Sequence, residues 1–207
     1  MTRGAVPVAD ALKAVAAQVI VLHHLALYGP MADHAWSLAP GLFGLLAEHG
    51  RYAVQVFLVL GGYFAARSLA PQGRWPDGRA LPARLARRYL RLVLPLVPVL
   101  ALAIAAAALA RAWMAHPATP AAPGLAQVLA HLFLLQDLLG LESLSAGLWY
   151  LAIDLQLYAL LAVLLLLGTW LDRWRGVPAR PAAPWLLLAG VAVSALWINS
   201  WPARDVA

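Results

Sequence analysis

The sequence predicts an all-α fold, a polytopic membrane helix bundle of about six hydrophobic segments, and three observations carry that expectation. Of 207 residues, 63% are apolar and 12% charged, about half the charged fraction of an ordinary soluble domain. Leu/Val/Ala-rich runs recur at about the 20-residue length that crosses hydrocarbon as a helix. The alternating pattern of a membrane β-barrel is absent. The gaps between runs leave no room for a soluble domain, so residues 1–207 read as a single membrane domain.

The first segment, residues 11–28, carries Lys13 near its start and His23 and His24 near its end. Arg3 and Lys13 before an apolar run resemble the start of a signal peptide. The histidine pair interrupts that run and no small-x-small cleavage site follows, so the segment is expected to stay attached. The second segment, 51–70, contains Gly61 and Gly62, which permit close helix contact or a local break. The third, 89–110, is preceded by Arg87 and Arg88 and is expected to kink at Pro95 and Pro98. Residues 125–141 carry Gln127, His131, Gln136 and Asp137, a polar load that predicts a short or re-entrant helix. Segments at 147–170 and 185–201 complete the set.

Loop charges give an orientation. Residues 73–91 hold six arginines (Arg74, Arg79, Arg84, Arg87, Arg88 and Arg91) against the single acid Asp77, which predicts a cytoplasmic loop and a cytoplasmic N-terminus. Residues 29–50 and 112–124 hold no Lys or Arg and are expected outside. The loop at 171–184, with Arg173, Arg175 and Arg180, is expected inside. Six simple crossings forbid that, and a re-entrant 125–141 allows it. The net charge of +6 thus reports orientation; membrane lipids are expected partners and nucleic acid is not. The absence of cysteine excludes disulfides, thiolate metal sites and thiol nucleophiles, leaving His, carboxylates, Lys/Arg and hydroxyls for chemistry.

Ionisable groups at membrane depth are costly, so their default reading is functional. On a helix the step from Lys13 to His24 closes three turns with about 20° to spare and rises about 16 Å, which puts both on one face. Asp10 stands three residues before Lys13 and is within pairing reach. A neutral His24 suits a general base acting on a hydroxyl, and Lys13 suits an anionic group such as a phosphate. The plainer alternative has Lys13 snorkelling to the interface and His24 bonded to a neighbouring helix. Asp154, one turn before Tyr158, either orients and charge-stabilises a protonated histidine or makes a structural hydrogen bond. Arg87, Arg88 and Arg91 either hold the phosphates of a cofactor or only set orientation. A metal site from His23 and His24 with Asp33, His34 or His49 is not expected, because adjacent positions on a helix diverge by about 100°.

Four stretches, in this order, carry a resemblance to a known family. They are "DALKAVAAQVIVLHHL" from Asp10, "VFLVLGGYFAARSL" from Val56, "ARRYLRLVLP" from Ala86 and "LWYLAIDLQLY" from Leu148. Together they resemble the acyltransferase family 3 of multi-spanning membrane O-acyltransferases, whose opening motif is a basic residue followed after ten residues by His, here Lys13 and His24. The family usually has Arg at the place of Lys13, an acid at Gln55, Ser near Gly61 and Glu at Asp154. The match covers nearly all of this chain and roughly the first half of the family domain.

The resemblance implies transfer of an acyl group, commonly acetyl, from cytoplasmic acyl-CoA to a hydroxyl of a carbohydrate or lipid-linked glycan. It implies His24 as catalytic base, Lys13 on the donor side, Asp154 as supporting carboxylate, and Arg87, Arg88 and Arg91 as contacts to the coenzyme phosphates, with no metal. The Ala, Leu, Arg and Pro bias suggests a GC-rich bacterial genome, and the resemblance implies a bacterial inner membrane. A second reading stays open: a non-catalytic, truncated membrane module serving as assembly partner or glycan-transport component, with a membrane-protein partner or oligomer.

Overall fold

The computed structural model describes residues 7–71, 80–116 and 119–176. Among them there is no strand; the elements are α1 (Pro7–Leu27), α2 (Pro30–Trp36), α3 (Pro40–His49), a 3-10 turn (Gly50–Ala53), α4 (Val54–Leu69), α5 (Leu81–Trp113), α6 (Leu125–Leu132) and α7 (Leu148–Arg175). Four stretches are long and apolar enough to cross a membrane: Pro7–Leu27, Pro40–Leu69, Leu81–Trp113 and Leu148–Arg175. Leu94, Leu102, Leu160 and Val163 on these helices are exposed, as lipid-facing positions are. The fold is the expected all-α polytopic bundle.

Several boundaries differ from the sequence expectation. Residues 29–50, expected as an external loop, contain α2 and α3, each opening on a proline, Pro30 and Pro40. Proline suits the first helical turn, where its missing N–H costs nothing and its φ is already set. The second crossing therefore begins at Pro40 and passes through the 3-10 turn into α4, 30 residues in all. The third crossing starts at Leu81 instead of 89 and runs through both Pro95 and Pro98 for 33 residues. The polar segment at 125–141 forms only the eight-residue α6, about 12 Å long and too short to cross. The expected segment at 185–201 lies outside the described residues.

The chain divides into two compact units, Met1–Phe64 with Ala86–Leu155, and Ala65–Leu85 with Gln156–Ala207. In the second, Ala65 and Leu69 of α4 pack with Tyr158, Ala162 and Leu165 of α7, flanked by Leu81 and Leu85 of α5. Arg84 Nη1 donates to the Ser68 carbonyl at 2.7 Å, so the basic start of α5 satisfies a carbonyl in the last turn of α4.

In the first unit, α1 packs on α3 and the 3-10 turn. A separate core joins Leu96 and Leu100 of α5, Leu148 and Ala152 of α7, and Leu134 and Leu144 from the segment between α6 and α7. That segment makes two successive helix-end turns. Leu135 N–H donates to Ala130 O and Leu134 N–H to His131 O; Leu141 N–H donates to Gln136 O and Gly140 N–H to Asp137 O. Each follows the six-to-one, five-to-two pattern that places its penultimate residue in the left-handed region. Gly140 (φ 65°) fits that without cost, whereas Leu134 (φ 56°) does not. Leu134 holds a conformation costing roughly 1–2 kcal/mol because its side chain, 1% exposed, fills the core.

His131 ties the segment down. Its Nδ1–H donates to the Gln127 carbonyl at 2.8 Å, and its Nε2 accepts the Leu144 N–H at 3.1 Å, so both ring nitrogens are used and the neutral Nδ1–H tautomer is fixed. Tyr89 of α5 adds a hydroxyl bond to the Leu132 carbonyl at 3.0 Å. His131→Ala is expected to cost about 2–3 kcal/mol, since it orphans the buried Leu144 N–H and opens a cavity. Limited proteolysis checks this: cleavage between 133 and 147 should accelerate at least tenfold over the wild type, about 1.4 kcal/mol of local opening.

Candidate active site

A polar contact of three hydrogen bonds in the first unit joins α5 to α7. Arg88 Nη2 donates to Asp154 Oδ1 at 2.6 Å and to Oδ2 at 2.7 Å, and Arg88 Nε donates to Oδ2 at 3.1 Å. The two side chains are 24% and 12% exposed. In the sequence Arg88 groups with Arg87 and Arg91, but helical geometry separates them. Arg88 stands about 100° from Arg87 and 60° from Arg91, whereas Arg87 and Arg91 lie about 40° apart. Accordingly Arg88 turns to Asp154, and Arg87 and Arg91 are exposed.

Helix α4 lines this pair. The Phe57 ring meets the Tyr150 ring edge-on at 5.9 Å. At Gly61, one turn on, an added Cβ would lie 3.6 Å from Asp154 Oδ1 and 3.9 Å from the Tyr150 hydroxyl, ordinary contact distances. Gly61→Ala should therefore be tolerated, whereas Gly61→Leu should drive into the carboxylate and cost about 1–3 kcal/mol. Thermal unfolding of the two variants in detergent measures the difference.

Lys13 lies over the Phe64 ring with Nζ 4.8 Å from its centroid, a cation–π contact. It does not pair with Asp10, and among the described residues no carboxylate lies within ion-pair distance of it. Distances along the continuous stretch Pro40–Leu69 set the levels. Gly61, opposite Asp154, is three residues from Phe64, about 4.5 Å along the axis. Gly50, against His23, is eleven residues the other way, roughly 16–18 Å. Asp154 and Arg88 thus lie near the level of Lys13 and well away from that of His24. Among the described residues no hydrogen bond or ion pair joins Asp154 to His24.

His24 is half-buried, and its Nδ1 is fully buried with no hydrogen-bond partner. Its ring neighbours are His23 at 5.3 Å and Tyr28 at 5.7 Å between centroids. His23 is 7% exposed and donates from Nδ1 to the Leu46 carbonyl of α3 at 2.8 Å. A Cβ at Gly50 would lie 2.6 Å from the Cβ of His23, closer than real carbons approach, so only glycine lets the 3-10 turn touch α1 here. Among the described residues no three metal-ligating side chains converge.

Polar groups gathered on membrane-crossing helices, facing neighbouring helices within one unit, mark a polytopic membrane protein with a polar site in its helix bundle. The family model of the acyltransferase domain, acyltransferase family 3, matches residues 7–204, and the chain belongs to that family of membrane acyltransferases. Comparisons with curated proteins and with solved structures return no match.

Proposed function

We propose that the chain is an O-acyltransferase that moves an acyl group, acetyl in the first instance, from acyl-CoA to a hydroxyl of a carbohydrate or surface-glycan acceptor. His24 is its general base. The observation that carries this reading is the buried, unpartnered Nδ1 of His24. A histidine that served only packing would be expected to use its buried nitrogens, as His131 uses both of its own. An uncommitted ring nitrogen is free to take a proton.

In the reaction, the acceptor hydroxyl oxygen attacks the thioester carbonyl carbon as its proton passes to His24. The tetrahedral intermediate collapses with cleavage of the carbon–sulfur bond, and the departing thiolate takes the proton back from the imidazolium. Lys13, without a carboxylate partner among the described residues, and the exposed pair Arg87 and Arg91 supply positive charge for the anionic coenzyme. Arg88, bonded to Asp154, borders the Lys13 end of the site. The donor enters at the Lys13 end and extends its thioester about 16 Å along α1 to His24.

On this reading the N-terminus and the Lys13 end face the cytoplasm of a bacterial inner membrane. Two features support it: α6 is too short to cross, and an even number of crossings then puts Arg84, Arg87, Arg88 and Arg91 at the start of α5 on the same side as Arg173 and Arg175. The test is transfer of labelled acetyl from acetyl-CoA to membrane glycans by purified chain in lipid vesicles, beside His24→Ala. Label moved by the wild type alone supports the reading; transfer undiminished in the variant overturns the base assignment, and no transfer by either, with insertion verified, overturns the enzymatic reading in favour of a non-catalytic module.

A further inference from the structure

His24 projects from α1 with nothing bonded to its buried Nδ1, so the position of its ring depends on what holds the helix there. That hold is one residue away. His23 is one of three buried polar side chains among the described residues, and the Leu46 carbonyl, which can only accept, takes its Nδ1–H at 2.8 Å. The same carbonyl also accepts the Gly50 N–H, so the end of α3 is fixed to α1 and to the following turn at one oxygen. The continuous helix from Pro40 tightens to a 3-10 turn over Gly50–Ala53, at the level where it meets His23. Mid-helix 3-10 stretches often occur where a functional constraint overrides regular geometry. Here the constraint is visible as the 2.6 Å that a Cβ at Gly50 would leave to His23.

We propose that His23 is a positioning residue for acyl transfer: its bond to Leu46 and its seat against Gly50 set the rotation and depth of α1, and with them the place of the His24 imidazole. The inference rests on His24 as the base. Adjacent residues of a regular helix move together, so a lost anchor at His23 displaces His24, and misplacement by about 1 Å can cost about 100-fold in rate. The chemistry of the anchor is one N–H at a fixed distance from the backbone. Asparagine reproduces it, because its side-chain nitrogen is attached at the same carbon as the imidazole Nδ1; glutamine carries its nitrogen one bond further out.

The test compares His23→Asn, His23→Gln, His23→Ala and Gly50→Ala in the full chain in lipid vesicles, with two readouts. The first is kcat and donor KM with acetyl-CoA. The second, which needs no turnover, is the rate at which diethyl pyrocarbonate modifies His24, read from the fragment ions of its peptide, which separate His24 from the adjacent His23. His23→Asn is expected to keep most of the rate and the wild-type labelling of His24. His23→Gln, His23→Ala and Gly50→Ala are expected to lose about 10–100-fold in kcat, with donor KM within about twofold, and to change His24 labelling. Equal behaviour of the Asn and Gln variants in both readouts overturns the proposal, as does loss of both by His23→Asn in a correctly inserted chain. If the wild type transfers nothing, the enzymatic reading fails by itself, and the labelling alone then decides for or against His23 as the anchor.

Discussion

His24→Ala is expected to lower the rate of acyl transfer by about 10²–10⁴-fold, the usual contribution of a positioned general base. The loss should fall on kcat, with donor KM little changed, because the imidazole acts on the acceptor proton only as the carbon–oxygen bond forms. The same substitution should leave folding nearly intact. His24 Nδ1 has no hydrogen-bond partner to orphan, and the ring is only half-buried; deleting it forfeits contacts to His23 and Tyr28 and little else. The expected stability change is within about 1 kcal/mol. Single-turnover transfer together with thermal unfolding in the same detergent separates the two effects. A variant that unfolds as readily as His131→Ala would show His24 to be a packing residue.

How much of this is legible in the sequence depends on whether the determining contact is local. The Lys13–His24 face is legible, since eleven residues on a helix fix an angle and a rise without reference to any other element. The short α6 is legible from Gln127, His131, Gln136 and Asp137, which no lipid-facing helix would expose. Helices α2 and α3 escape a reading by loop charge alone, although Pro30 and Pro40 are helix-start residues. The start of α5 escapes because hydropathy discounts arginine, whereas Arg84 and Arg88 each have a carbonyl or carboxylate partner.

The pairing of Arg88 with Asp154 spans 66 residues of sequence and has no local signature. The wheel angle between Arg88 and its two neighbours is the available signal, and it shows that three arginines close in sequence do not share a face. From spacing alone, His23 is only the residue pointing away from His24. Its bond to Leu46 depends on the close approach that Gly50 permits, and nothing in the spacing of His23 foretells that approach.

Asp154→Ala is expected to cost about 3 kcal/mol of stability, the lower end of the range for removing one partner of a buried ion pair. The residual exposure of Arg88 and Asp154, 24% and 12%, sets it at that end. The cost comes less from the lost attraction than from the guanidinium left largely buried between α5 and α7 with the carboxylate that neutralises it gone. Asp154→Asn retains the shape and one acceptor oxygen and should cost less. Arg88→Leu with Asp154→Ala should recover part of the loss, because neither charge of the pair then remains. Unfolding of the wild type, Asp154→Ala, Arg88→Leu and the double variant in one detergent closes this cycle; an Asp154→Ala loss below about 0.5 kcal/mol would place the pair with ordinary surface ion pairs. The kinetic consequence distinguishes two roles for the carboxylate. A carboxylate that steadied protonated His24 would lower kcat when removed. The level of Asp154 along α4, near Lys13, predicts instead that releasing the charge of Arg88 strengthens the attraction for the anionic donor, so that KM for acetyl-CoA falls about two- to fivefold at low salt and the difference fades as salt rises.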